Sequence, residues 1–194
     1  QANVFGGLAI CDGIFLGGAA PQYSLTTSLQ NATLDETIRV FSPGAKPLKG
    51  RVGVRATLQG EGRNIAALKG EGAVNVREAQ LYELPQIVRI LQILSVQAPN
   101  ENAFSSCDVD FKVLGDHLEL SRVLLEGEAL TLFGNGWLTV RAQERLIDLT
   151  LSARLGISKT QIPVLSDLLG AASDQVSQIR VEGDLASPVI QQER

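Results

Sequence analysis

The chain has 194 residues, a net charge of -4 and scattered basic residues, which argues against a phosphate-backbone footprint and so against nucleic acid as a partner. A chain of this length buries roughly 70% of its unfolded surface and needs no metal or disulfide staple. No apolar run approaches the ~20 residues of a membrane-spanning helix, and the first residues carry no basic-then-apolar leader. There is no Met, so the chain reads as an excised piece of a longer protein, whose anchors and targeting signals would lie outside it.

In chain order, Ala2 to Leu16 is Gly-rich and apolar, and Asp12-Gly13 predicts a hairpin turn there. Tyr23, Leu25, Thr27 and Leu29 alternate as one face of a half-buried strand. Leu34 to Phe41 predicts a short helix, ended by Ser42-Pro43-Gly44. Val52, Val54, Ala56 and Leu58 form the next one-faced strand, and Leu68 to Val76 another. Leu84-Pro85 opens the best helix, with Pro where a missing amide donor is harmless. Ile87, Ile90, Leu91 and Leu94 follow the i, i+3, i+4, i+7 rhythm of a buried stripe, widened by Val88 and Ile93. That stripe packs in a core, or lines a groove.

The second half repeats the order. Cys107, Val109, Phe111 and Val113 share a face, with Asp108, Asp110 and Lys112 opposite. Leu118 to Leu125 and Leu130 to Val140 are strands turned by Glu126-Gly127-Glu128. Ile147, Leu149, Leu151, Ala153 and Leu155 alternate most cleanly. Ile162-Pro163 echoes the earlier helix start, and Ile179 to Leu185 closes as a strand before Ser187-Pro188.

One pattern recurs: Leu68-Lys69-Gly70-Glu71-Gly72 and Leu132-Phe133-Gly134-Asn135-Gly136, with a shorter copy at Leu58-Gln59-Gly60-Glu61-Gly62. Each sets apolar, bare, bare along one strand face, where a sheet can bend or another backbone can approach closely. For Asn135-Gly136 a two-residue hairpin turn is the alternative. The expectation is a single mainly β domain over 1–194, with sub-repeats at about 48–100 and 104–175. Its sheet would be a curved antiparallel meander, a taco-like groove or half-barrel, with two helices against it.

Reaction centres are scarce. His117 is the single histidine and reads as a solvated turn residue, so neither zinc nor a Ser-His-Asp triad has its ligands or its base. Asp108 and Asp110 read as a water-facing strand surface, with a weak calcium site as the alternative. Trp137 falls on the polar side, as surface packing or an interface marker. No Gly-x-Gly copy continues into a phosphate-binding loop. Cys11 and Cys107 read as small apolar side chains, and a disulfide between them stays open. The expectation is no enzyme, no cofactor and no metal.

The order of pieces from Phe104 through Gly156 resembles the C-terminal region of AsmA-like proteins. Phe104 and Phe111-Lys112-Val113 are followed by Gly115-Asp116 and Leu118-Glu119-Leu120. Then come Leu130 to Val140, carrying the Gly134-Asn135-Gly136 strip, and Leu146-Ile147-Asp148-Leu149-Thr150-Leu151. Leu68 to Leu94 is similar to that family's Gly-x-Gly strand and Leu-Pro helix. Val181-Glu182-Gly183-Asp184-Leu185-Ala186-Ser187-Pro188 is similar to its closing strand. The resemblance covers roughly residues 48–190. It implies a periplasmic module tethered to the inner membrane by a segment outside this chain. It also implies phospholipid movement toward the outer membrane, or outer-membrane assembly with envelope protein partners. On that reading, Val109, Phe111, Val113, Leu138, Val140, Ile147, Leu149 and Leu151 form an apolar trough for acyl chains. The alternative is a non-catalytic scaffold with a fully packed core.

Overall fold

A computed structural model describes residues 1–41, 47–81, 84–94, 104–127, 130–139, 145–155, 177–185 and 187–193. The alternating segments become strands β1 (Ala2–Val4), β2 (Gly7–Leu16), β3 (Gln22–Thr33), β4 (Arg51–Glu61), β5 (Lys69–Arg77) and β6 (Ser106–Leu114). β7 (His117–Glu126), β8 (Leu130–Thr139), β9 (Leu146–Leu155), β10 (Ser177–Asp184) and β11 (Val189–Glu193) follow. Helix α1 spans Leu34–Phe41 and α2 spans Pro85–Ile93. All eleven strands lie in one sheet in chain order, each antiparallel to the next, and the sheet does not close into a barrel.

Two features differ from the sequence reading. β2 runs straight through Asp12-Gly13, paired with β3 from Leu8↔Gln30 to Leu16↔Gln22. The turn lies instead at Phe5-Gly6, where both residues have positive φ (54° and 68°), as a two-residue hairpin of matching twist requires. Nine cross-strand pairs outweigh the local turn preference of an Asp-Gly step. β11 is an additional strand, with Ile190 opposite Val181. Asn135-Gly136 lies inside β8, as the continuous glycine-strip strand of the sequence reading has it, and the alternative hairpin turn does not form. The expected Ile162-Pro163 helix lies outside the described residues.

The glycine strips are where neighbouring strands come over one another. A Cβ on Gly134 or Gly136 would run into the Thr150 or Asp148 carbonyl of β9. A Cβ on Gly70 or Gly72 would run into the Thr57 or Arg55 carbonyl of β4. Bare backbone therefore lets the sheet crease along β5 and along β8. Phe111, opposite Gly72, lays its ring over the bare position and covers backbone that would otherwise be exposed.

Two bulges keep the apolar face continuous. Asp110 pairs Arg122 but Phe111 pairs Leu120, so Ser121 is the extra residue, and its hydroxyl donates to the Asp110 carbonyl at 3.2 Å. The extra residue turns Leu118 and Leu120 to the same side as Val123 and Leu125, which strict alternation would place on opposite sides. β3 does the same around Asn31, whose φ is 55°, bringing Leu29 and Ala32 to one face.

Helix α1 has Asp35 and Glu36 in its first turn and Arg39 in its last, the arrangement that favours the helix dipole; Arg39 and Asp35 are 2.7 Å apart. Helix α2 starts at Pro85, capped by Leu84 with no side-chain hydrogen bond. Its Ile87, Ile90 and Leu91 are buried in the same cluster as Leu120, Leu132, Leu151 and Ile179. Val88 is exposed, so the stripe is narrower than the sequence pattern implied.

Candidate functional site

The strand registers place the sequence-derived trough residues on one face. Val113 pairs Leu118, Leu118 pairs Leu138, and Leu138 pairs Ile147. The next row runs Phe111, Leu120, Gly136, Leu149, Val181 and Ile190. A third runs Val109, Val123, Gly134, Leu151 and Ile179. The face is therefore an apolar band crossing six strands, from β6 to β11. Val140 lies outside the described residues.

These residues divide by burial. Val113, Ile147 and Leu151 are buried, whereas Val109, Phe111, Leu138 and Leu149 are half-buried and pack against the edge of the core. Helix α2 covers part of the face with Ile87, Ile90 and Leu91. Between α2 and β11 lies an open surface depression of about 550 Å³, lined by Arg89, Gln92, Ile93, Ser187, Pro188, Val189 and Ile190. Ile190 belongs both to this depression and to the Phe111–Leu149 row, so the opening meets the apolar band. Sequence reasoning missed this mouth. The usable signal was the Val189-Ile190 pair after Pro188, a short β-branched run.

The opposite face is polar and internally paired. Arg77 donates to both oxygens of Asp108 at 2.7 and 3.0 Å, and Arg122 Nε donates to Asp110 at 2.7 Å. Arg180 donates to Asp148 at 3.0 Å. Arg and Asp on adjacent strands thus neutralise each other in water, where such pairs contribute modestly. Among the described residues no group of three or more His, Cys, Asp or Glu is placed to hold a metal. His117 is not a free turn residue: it opens β7 and stacks on Trp137, ring centres 5.3 Å apart. Arg154 lies 5.2 Å from the ring centre of Phe133 on the same polar side, a cation–π contact.

Both cysteines are free thiols, on strands β2 and β6. Three strands separate theirs in a sheet spaced ~4.8 Å per strand, beyond the ~7 Å a disulfide tolerates. Burial pushes the Cys107 thiol up to about 11, with Asp108 adding to the rise and Arg77 opposing it. At pH 8, iodoacetamide is expected to alkylate exposed Cys11 and to spare Cys107 until the chain unfolds, read by intact mass. The folded state favours the neutral Cys107 thiol. Its contribution to stability is therefore intact below pH 9 and lost between about 9 and about 11, at up to ~1.4 kcal/mol per pH unit. Cys107→Ala should flatten that part of the stability profile.

No known protein family, curated protein or solved structure matches this chain.

Proposed function

We propose that the chain is a lipid-handling module of an inner-membrane-anchored periplasmic protein, holding phospholipid acyl chains on the apolar band. The observation that carries this reading is the register row that links half-buried Phe111 and Leu149, through buried Val181, to Ile190 at the open depression beside α2. Burying hydrocarbon stabilises a complex by about 0.8 kcal/mol per CH₂, which is ample for two acyl chains along such a band. Arg89, Gln92 and Ser187 line the mouth and supply donors to a phosphate headgroup at the water boundary. The mechanism involves no bond chemistry.

One observation favours the second reading, a non-catalytic assembly module for outer-membrane protein biogenesis. Ile87, Ile90 and Leu91 already fill part of the band, as in a closed core. Native mass spectrometry after mild extraction separates the two. Bound phospholipid that disappears in Val109→Asp and Leu149→Asp supports lipid handling, and a chain that is always lipid-free supports the scaffold. Arg89→Ala should weaken retention of a phospholipid more than that of an uncharged diacylglycerol.

A further inference from the structure

The antiparallel order puts the ends of β2, β4, β6, β8 and β10 on one rim of the sheet. Exposed apolar side chains gather there: Ile14, Phe15 and Leu16 on β2, Ile65 before β5, Leu114 ending β6 and Leu146 opening β9. The first three are 67%, 69% and 60% exposed, and they are consecutive. Strand alternation sends Ile14 and Leu16 to one face and Phe15 to the other. The tip that follows, Gly17-Gly18-Ala19-Ala20-Pro21, is small and uncharged, and residues 13–34 contain no Asp, Glu, Lys or Arg.

We infer that this rim, led by the β2–β3 tip, rests on the surface of a lipid bilayer. A flat surface on a protein partner would cover one side of the ribbon and leave the other in water. A medium that surrounds the tip satisfies both. The charge pattern fits the same occupant. The tip itself is neutral, and the nearest charges are of both signs: Asp12 two residues before Ile14, Glu61 level with Gln22, then Arg63 and Lys69. These sit at headgroup level and give no preference for an anionic surface. Backbone hydrogen bonding fits as well. The Gly62 amide donates to the Pro21 carbonyl, Gly115 to Leu68, and Leu185 to Arg145, each at 2.7 Å. Successive turns are thus laced together, which matters because unpaired backbone groups are costly near hydrocarbon. Among the described residues no strand pairs the outer edge of Ile14 to Leu16. The depth is therefore interfacial, where water still reaches those amides. Tyr23, opposite Phe15, has the apolar ring and polar hydroxyl suited to that depth.

The test is flotation of the chain with vesicles of phosphatidylcholine alone, in low salt and in high salt. The expected result is binding that salt does not change. Ile14→Ser, Phe15→Ser and Leu16→Ser combined should lower the bound fraction at least tenfold, and Phe15→Asp alone should lower it several-fold, with unchanged far-UV circular dichroism. Val88→Ser, an exposed apolar side chain on α2, should bind as the parent does. Absence of flotation overturns the inference, as does a triple variant that still floats. Self-association through the tip in the absence of vesicles, abolished by the triple variant, also overturns it by identifying a second copy as the occupant. A triple variant that loses flotation but retains co-purified lipid separates this surface from the groove. A chain that floats yet never carries lipid removes the groove reading alone.

Discussion

Phe104→Ala is expected to lower the unfolding free energy by about 3–5 kcal/mol, the usual cost of emptying a large aromatic site. Phe104 is fully buried and belongs to the central cluster with α2 and the β7–β10 face. Its carbonyl accepts from the Leu81 amide at 3.2 Å, and the neighbouring Ser105 amide donates to the Glu126 carbonyl at 3.0 Å. The ring thus sits where the chain re-enters the sheet after α2, locking helix and strand together. Against a total stability of about 5–15 kcal/mol, such a loss is a third or more in many cases. Urea denaturation should show a much lower midpoint, and Phe104→Leu should recover part of the difference because it refills most of the volume.

Gly134→Ala should cost about 2–4 kcal/mol although it adds a single methyl to a strand, where Ala is ordinarily preferred to Gly. The added carbon would meet the Thr150 carbonyl of β9. Backbone cannot swing aside as a side-chain tip can, so the crease must open or the β8–β9 pairing must shift. Asn135→Ala, one residue along on the exposed polar side, provides the control and should change stability by less than about 0.5 kcal/mol. If Gly134→Ala proved neutral, the strip would be a compositional accident rather than the hinge of the sheet's curvature. Denaturant midpoints for the two variants decide the point.

Much of this fold was legible because period two is a strong signal. Ile147 to Leu155 alternates without interruption, and β9 occupies those residues. Pro85 and the Ile87-Ile90-Leu91 spacing located α2 closely, and Leu34–Phe41 matched α1. The trough residues fell on one face for the same reason. Local reading failed where long-range pairing decided the outcome. Asp12-Gly13 has the chemistry of a turn, yet β3 holds it extended. The parity change at Ser121 is written in the spacing of Leu120 and Val123, but its meaning depends on the strands on either side. The mouth between α2 and β11 had only the short Val189-Ile190 pair as a local signal, since its walls come from residues roughly a hundred positions apart. His117 was misplaced because stacking on Trp137 depends on a register that the sequence does not state.

The strictly sequential order of strands has a kinetic consequence. Each pairing joins strands that follow one another in the chain, and apart from the long connections β3–β4, β5–β6 and β9–β10 each closes over a short loop, so the contact order is low for an all-β chain. Assembly can start at several hairpins and zip outward. Helix α2 departs from this rule, because it leaves the chain after β5 and its C-terminal part meets β11. That long-range closure must wait for every intervening strand, so docking of the helix is the late step that converts a zipped ribbon into a structure with a fixed bend.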